Sequence, residues 1–326
     1  MSDGVGAALI VGCAVWALVA AAGRDARPEG VLLAVLAVCA GYACGRLWGS
    51  VRPAGAFALT AAAALVAAVA SHDGLRGAGA SAPSGHTGAT AALVVLAAGA
   101  ACCGAAAARS RGVRTVSRLL AAAAVGGAPL LGSPAGFAGA VGVVLCALAA
   151  ARTRRRAAGL AALLLATGLV AGVSWAVAEE ALPRGLASSL EGPLTARRVS
   201  LWQDALDLAR ENPERGVGPG RFAVLSPTAG QALHGDGRPH SAPLQVAAEQ
   251  GAVGVALFAA LFGWMLFGLW RSPVATPVAL TAGAALAALA VLAAIGNVLS
   301  FAPVTAGAGL LAGLAAARPA ARLRDD

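Results

Sequence analysis

Arg197, Arg198 and His240 lie in the most polar part of the chain and could together bind a phosphate and move a proton. The two arginines fall in the first turn of a helix predicted over 194–211, where the helix dipole favours a bound anion. Guanidinium groups bind phosphate oxygens through paired hydrogen bonds. His240 directly precedes another predicted helix, where an imidazole could accept a proton from a hydroxyl group. The alternative for the arginines is that they only anchor the helix at a membrane surface.

A polar stripe leads from His240 into the next apolar segment. Ser241 is a good N-cap and Pro243 suits the first turn, so a helix is predicted to begin there. Gln245 and Glu249 follow Ser241 at i+4 and i+8, which places all three on one helix face. An ionisable residue at a membrane boundary is a candidate functional residue. The alternative is helix capping with a glutamate that reaches out to the interface.

A glycine-rich turn lies between these two helices. Gly216, Gly218 and Gly220 alternate and are followed by Arg221 and Phe222. Alternating glycines allow backbone amides to approach a ligand closely, so Gly218 and Gly220 are predicted to line a substrate site. Arg221 would add a charge and Phe222 an apolar wall. No strand is predicted before the glycines, as a dinucleotide motif requires, and an ordinary turn explains them equally well.

A cluster of His234, Asp236, Arg238 and His240 raises the question of a metal site. The spacing matches no standard zinc pattern. The chain also lacks an Asp-x-Asp pair for a divalent ion. We therefore predict no metal ion and no cofactor.

The composition excludes an ordinary soluble protein. Hydrophobic residues make up 59% of the 326 residues and charged residues 12%, and the mean hydropathy is +0.77; soluble domains have roughly 45–50% and about 25%. A net charge of +9 is also seen in nucleic-acid-binding proteins. Here the arginines lie between apolar runs, so we expect membrane lipids as partners and no nucleic acid.

The order of apolar runs predicts an all-α, polytopic membrane helix bundle. A spanning helix needs about 20 apolar residues. Candidate runs occupy 4–23, 30–50, 53–71, 88–108, 116–131, 134–151, 157–178, 244–270, 274–295 and 302–317. We therefore expect about ten transmembrane helices, with a tight hairpin at Leu131–Pro134. The first run lacks the positive start of a signal peptide, which favours a spanning helix over a cleaved segment.

These runs divide the chain into four parts. An N-terminal membrane bundle of about seven spans covers residues 1–178 and a C-terminal bundle of about three spans covers 244–317. Between them, residues 179–243 are too polar and too long for a simple connection, and such loops are usually functional. This segment is predicted to be a large extracytoplasmic loop containing short helices. Residues 318–326 form a predicted cytoplasmic tail.

The arginine distribution predicts the orientation in the cytoplasmic membrane. Cytoplasmic loops carry an excess of basic residues. With the N-terminus inside, the inner segments hold Arg46, Arg52, the clusters at 109–118 and 152–156, Arg271 and the tail arginines. The short outer loops hold only Arg24, Arg27 and Arg76. Both termini are therefore predicted to be cytoplasmic, with the large loop outside.

These motifs, in this order, resemble the O-antigen ligase and polymerase superfamily of bacterial membrane proteins. The family segment reads as an Arg-x-x-x-Trp helix, a Pro and a Gly-x-Gly-x-Gly turn, and a His-Asn-x-x-Leu-Gln-x-x-x-Glu-x-Gly-x-x-Gly helix start. The corresponding positions are 198–202, Pro213 with 216–220, and 240–254. Ser241 replaces the usual Asn. Residues 297–303 loosely fit the family's C-terminal pattern.

The resemblance implies a metal-independent membrane glycosyltransferase. Its donor would be a glycan on polyprenyl pyrophosphate, and its acceptor a hydroxyl group of a lipid-, glycan- or protein-linked molecule. On this hypothesis Arg198 binds the pyrophosphate with help from Arg221, and His240 takes the acceptor proton or binds the donor phosphate. Gln245 and Glu249 would orient the site.

Three other functions compete with a ligase. A polysaccharide polymerase has the same fold, and a flippase or transporter or a non-catalytic scaffold would use the same spans without this chemistry. Transporters tend to carry internal repeats and polar residues at the midplane. This chain shows no clear repeat, and its polar residues concentrate in one loop, which favours an enzyme.

Overall fold

The structure, a computed structural model, describes residues 2–77, 86–179, 196–231 and 237–318. All regular structure in these ranges is helical, so the predicted all-α fold is confirmed there. A 3-10 helix at Val298–Ser300 precedes the last α-helix. The helices are α1 Ser2–Ala21, α2 Glu29–Val51, α3 Pro53–Gly77, α4 His86–Ala107, α5 Arg111–Leu130, α6 Pro134–Ala150, α7 Arg156–Ala178, α8 Ala196–Glu211, α9 Phe222–Leu225, α10 Pro227–Gly230, α11 Ala242–Arg271, α12 Thr276–Ala294 and α13 Ala302–Ala316.

Seven helices of the described chain are long and apolar enough to cross a membrane: α1, α2, α3, α4, α7, α11 and α12. The helices α6 and α13 are apolar but shorter. Helix α5 is amphipathic, because Arg111, Arg114 and Arg118 are spaced at i, i+3 and i+7 and so share one face. A multi-pass helical membrane protein is therefore confirmed. The count of about ten spans, the domain division and the orientation stay predictions.

The hairpin predicted between α5 and α6 is confirmed. Helix α5 ends at Leu130 and α6 begins at Pro134. Gly132 adopts φ 63°, a conformation that glycine enters at no steric cost. The Ser133 hydroxyl accepts a hydrogen bond from the Gly136 amide at 3.2 Å and caps α6. Local capping signals therefore fix this turn.

Helices α4 and α12 form the centre of the bundle. In their most apolar stretches, 83% and 78% of residues are buried within the protein. The peripheral helices α2 and α7 instead expose leucines such as Leu47 and Leu165. Because lipid tails are as apolar as leucine, these outer faces can contact lipid without penalty.

Helix α2 packs closely against α13 through glycines. Gly41 and Gly45 of α2 face Gly309 and Gly313 of α13, and a Cβ at Gly41 would overlap the carbonyl oxygen of Ala306. Small residues spaced four apart allow two helix backbones to approach in membranes. This pairing fixes the C-terminal helix against the N-terminal half of the chain, and the sequence analysis did not identify it.

Candidate functional site

Helix α11 is broken at Gly251, near its predicted outer end. Gly251 adopts φ 65° and ψ −165°, a region essentially restricted to glycine. A Cβ there would overlap the backbone of Glu214. The sequence analysis predicted one continuous run over 244–270, whereas the structure has helical segments 242–250 and 252–271 on either side of the break.

The glycine turn supplies hydrogen bonds at this break. The Val217 amide donates to the carbonyl oxygen of Ala248 at 2.8 Å, and the Gly218 amide donates to that of Glu249 at 2.9 Å. In a continuous helix, amides one turn further along the helix would fill these positions. The turn is therefore an integral part of α11 rather than a loose connection.

Helix α1 closes the other side of the break. The indole Nε1 of Trp16 donates to the carbonyl oxygen of Gln250 at 2.9 Å. Arg24, just after α1, donates to the carbonyl oxygen of Gly216 at 2.6 Å. The first helix thus stabilises both the turn and the broken helix, and it belongs to the framework of the candidate site.

All three glycines of the turn have positive φ, at 61°, 104° and 76° for Gly216, Gly218 and Gly220. A Cβ at Gly218 would lie 3.1 Å from the Ala26 side chain, and one at Gly220 would lie 3.3 Å from that of Arg27. The turn therefore packs against the connection between α1 and α2. The predicted role of Gly218 and Gly220 in lining a substrate site stays a prediction.

Glu249 joins the turn to the helix start. Its side chain is buried, with 4% of the residue exposed. The backbone amides of Gly220 and Phe222 hydrogen-bond to its carboxylate, and the Gln245 side chain donates to it at 3.5 Å. Arg238 is a nearby cation. Gln245 and Glu249 therefore share one face, as predicted, but Glu249 points into the protein and not out to the interface.

Arg238 links this region to the C-terminal bundle. Its guanidinium donates to the Asn297 side chain at 3.3 Å and to the Ser300 hydroxyl. In the sequence, Arg238 stands out only as part of the histidine cluster. The loose match of residues 297–303 to the family pattern was the one sequence signal that this segment belongs near the site.

His240 has a left-handed backbone, with φ 54°. It is half-buried and lies directly before Ser241, the N-cap of α11. The Ser241 side chain makes no capping hydrogen bond, and its buried hydroxyl has no partner in the described chain. A left-handed non-glycine residue costs about 1–3 kcal/mol, and such residues cluster at functional sites. The backbone conformation of His240 therefore supports keeping it as a candidate functional residue.

The surface helix α8 begins, in the described chain, at Ala196; the predicted start at Leu194 and the predicted cap at Thr195 lie outside the described residues. The predicted apolar stripe was Val199, Trp202, Leu206 and Ala209. The buried residues are Leu201, Trp202, Ala205 and Leu206. Val199 and Ala209 are only half-buried, because α8 packs against both α7 and α11 and its buried face follows i, i+4 pairs.

A small apolar cluster brings the three predicted segments together. It contains Trp202 of α8, Phe222 after the glycine turn and Leu244 of α11. Arg198 lies one helical turn before Trp202, and His240 lies four residues before Leu244. The segments that bear the two predicted catalytic residues therefore meet at this cluster.

The remaining arginines differ in their surroundings. Arg221 directly precedes Phe222, is half-buried, and donates to the carbonyl oxygen of Val217 at 3.5 Å. Arg198 is half-buried and Arg197 is exposed. Arg197 is thus the least enclosed of the predicted phosphate-binding residues.

The two other members of the histidine cluster, His234 and Asp236, lie outside the described residues. Among the residues that the structure does describe, no group of three or more His, Cys, Asp or Glu is arranged to hold a metal ion.

Comparison with known families identifies the segment that carries this site. The O-antigen ligase family model matches residues 119–259, somewhat less than half of the chain. The match includes α8, the glycine turn, His240, Glu249 and the break at Gly251. No curated protein matches the chain. Residues 119–259 are thus similar to the O-antigen ligase family, which supports an O-antigen ligase-related protein.

Proposed function

We propose that this protein transfers a glycan from polyprenyl pyrophosphate to an acceptor hydroxyl group at the outer face of the cytoplasmic membrane. Members of the O-antigen ligase family are glycosyltransferase-like ligases or polymerases. The observation that carries the proposal is the shared cluster of Trp202, Phe222 and Leu244. It gathers the segments that bear two arginines and a histidine at one end of α11.

The reaction needs positive charge at the leaving group. The bond between the anomeric carbon and the pyrophosphate oxygen breaks, and the pyrophosphate leaves with the electron pair. Arg198 and Arg221 stabilise this charge, because guanidinium groups match phosphate oxygens in geometry and stay charged. Preorganised donors of this kind act mainly on the developing charge of the transition state.

His240 serves the acceptor. The acceptor oxygen forms the new bond to the anomeric carbon, and its proton passes to the imidazole. General base catalysis of this kind contributes about 100- to 10,000-fold in rate. In the alternative assignment His240 binds the donor phosphate.

Glu249 and Gln245 act as positioning residues. Arg221 lies between Gly220 and Phe222, whose amides both bind the Glu249 carboxylate. Fixing the backbone on both sides of Arg221 restricts where its guanidinium can reach. Because binding sites depend on such supporting contacts, loss of the Glu249 carboxylate is expected to weaken donor binding.

The prediction that the site lies on the outer face rests on what lies at the two ends of α7. This helix begins at Arg156, beside the arginine cluster at 152–155, and ends at Ala178 in the apolar cluster of the site. Arginine-rich ends favour the cytoplasmic side. The site then faces outside, and the polyprenyl chain of the donor can enter sideways from the bilayer.

Reconstitution in liposomes tests the function. Purified protein is incubated with a polyprenyl-pyrophosphate glycan, either with a lipid acceptor that bears a hydroxyl group or with the donor alone. Transfer to the lipid acceptor indicates a ligase, and chain extension of the donor indicates a polymerase. Movement of the donor across the bilayer without a new glycosidic bond would contradict the proposal.

The arginine assignment has a matched control on the same helix. Arg198→Gln is expected to reduce transfer about 100-fold or more, as removal of one transition-state donor does. Arg210→Gln removes the same charge from the exposed side of α8, where Arg210 pairs with Glu179 and Asp207. It should leave the rate within about twofold, since exposed ion pairs contribute little. Equal rates in the two variants would overturn the role of Arg198.

A further inference from the structure

A cavity lies at the opposite end of α11 from His240. Its volume is about 130 Å³, roughly ten times the 10–15 Å³ that a cavity needs to hold one water molecule. It is partly open and is lined by α1, α2, α11 and the end of α13 with the residues that follow it. Three of its lining residues are arginines, Arg46, Arg271 and Arg318, and one, Asp3, is a carboxylate.

The apolar wall of this cavity is closely packed. The rings of Tyr42 and Trp264 lie 4.9 Å apart between centroids and are tilted by 51°. Gly6 of α1 approaches Trp264 so closely that a Cβ would overlap the indole ring. Since both aromatic rings are held by neighbouring helices, the cavity does not depend on a ligand to form its wall.

The charges around the cavity are not balanced within the set of residues that line it. Arg46 donates to the Asp3 carboxylate at 3.2 Å and also to the carbonyl oxygen of Ala316. Arg271 lies over the Phe267 ring, 5.7 Å from its centroid, and Arg318 is exposed. Asp3 offsets one of the three arginines, so the lining carries an excess of positive charge that favours an anion.

We propose that this cavity binds the phosphate group of an anionic phospholipid from the leaflet predicted to be cytoplasmic. Basic pockets between transmembrane helices on that side suit anionic headgroups. The adjoining surface of α2 is apolar, since Leu47, Trp48 and Val51 are all more than half exposed. An acyl chain would cover this surface, whereas inorganic phosphate would not. The observations therefore favour a lipid over a soluble anion.

Thermal unfolding of the purified protein in neutral detergent tests the site. Three additives are compared at equal concentration: short-chain phosphatidylglycerol, short-chain phosphatidylcholine and inorganic phosphate. A ligand that binds only the folded state raises Tm, so phosphatidylglycerol should raise it by several degrees and the other two by clearly less. No selective rise, or an equal rise with inorganic phosphate, would overturn the proposal.

A double variant locates the effect. Arg271→Gln combined with Arg318→Gln removes two charges from the rim while keeping Arg46 and its contacts. The selective rise in Tm should be lost. Arg152→Gln combined with Arg154→Gln removes the same charge from exposed positions between α6 and α7 and should keep it. Equal loss in both double variants would show nonspecific charge attraction and overturn the site.

A second measurement covers the case in which the double variant Arg271→Gln and Arg318→Gln, the rim variant, is less stable by itself. Native mass spectrometry at low temperature counts the phosphatidylglycerol molecules that remain bound. The wild-type protein should retain one more than the rim variant, and the control variant should match the wild type. Identical retention in all three proteins would contradict the proposal. Neither readout depends on glycosyl transfer.

Discussion

The backbone carbonyl oxygens near the two ends of α11 accept hydrogen bonds from different kinds of donor. At the break near the predicted outer end, carbonyl oxygens accept hydrogen bonds from backbone amides of the glycine turn and from the Trp16 indole. At the other end, the guanidinium of Arg156 donates to the carbonyl oxygens of Leu269, Ser272 and Val274. Neutral donors thus satisfy the carbonyl oxygens at the break, and a cation from α7 satisfies those at the other end.

This difference separates structural arginines from candidate functional ones. Arg156 is committed to capping α11, where a cation also suits the negative end of the helix dipole. In the described chain, neither Arg198 nor Arg221 donates to a carbonyl of α11. The role of these two side chains in binding a substrate stays a proposal.

A substitution at the break in α11 should have the largest effect. Gly251→Ala forces a side chain into a conformation that costs about 1–3 kcal/mol and adds the overlap with the Glu214 backbone. We expect a Tm lower by many degrees and loss of glycosyl transfer. Gly263→Ala is the control in the same helix, since its Cβ would meet nothing within 4 Å. A wild-type Tm for Gly251→Ala would mean that the break is not required.

The end of α11 that Arg156 caps should tolerate change better and should leave the chemistry intact. Arg156→Gln removes hydrogen bonds from a charged donor, which are worth about 1.5–3 kcal/mol each when lost without replacement. Because water or neighbouring groups can replace some of these bonds, we expect the unfolding free energy to fall by about 2 kcal/mol. Glycosyl transfer should be unchanged below Tm. Arg154→Gln, at an exposed position, should be silent. Lost transfer in folded Arg156→Gln would mean that the two ends are coupled.

A smaller effect is expected where α8 supports the segment after the glycine turn. The Asp204 carboxylate accepts hydrogen bonds from the Ser226 hydroxyl and from the Thr228 amide, the latter at 3.0 Å. Asp204→Ala should cost about 1 kcal/mol, as lost caps do, and should speed amide hydrogen exchange over 226–230. The exposed Asp207 provides the control, Asp207→Ala, for which no change is expected. Equal exchange in both variants would contradict this contact.

Local signals allowed much of the architecture to be predicted. Helices α6 and α11 begin beside Ser133 with Pro134 and Ser241 with Pro243, residue types that favour helix starts. The Ser133 side chain caps α6, whereas Ser241 occupies the N-cap position of α11 without a capping hydrogen bond. The apolar runs also predicted the helices, because burial in the protein and contact with lipid both favour contiguous apolar segments.

The parts that were not predicted depend on contacts between distant residues. A glycine inside an apolar helix is compatible with an unbroken helix, so Gly251 indicated no break until the glycine turn was placed beside it. The bond from Arg238 to Asn297 joins residues 59 positions apart. Periodicity along one segment contains no information about such partners.

The most direct test of the account is glycosyl transfer by His240→Asn in proteoliposomes, measured together with Tm. Asparagine tolerates the left-handed backbone at least as well as histidine, but its side chain cannot take up the acceptor proton. The account predicts an unchanged Tm and a transfer rate lower by about 100- to 10,000-fold. Wild-type transfer by a folded His240→Asn protein would contradict the assignment of the chemistry to this end of α11.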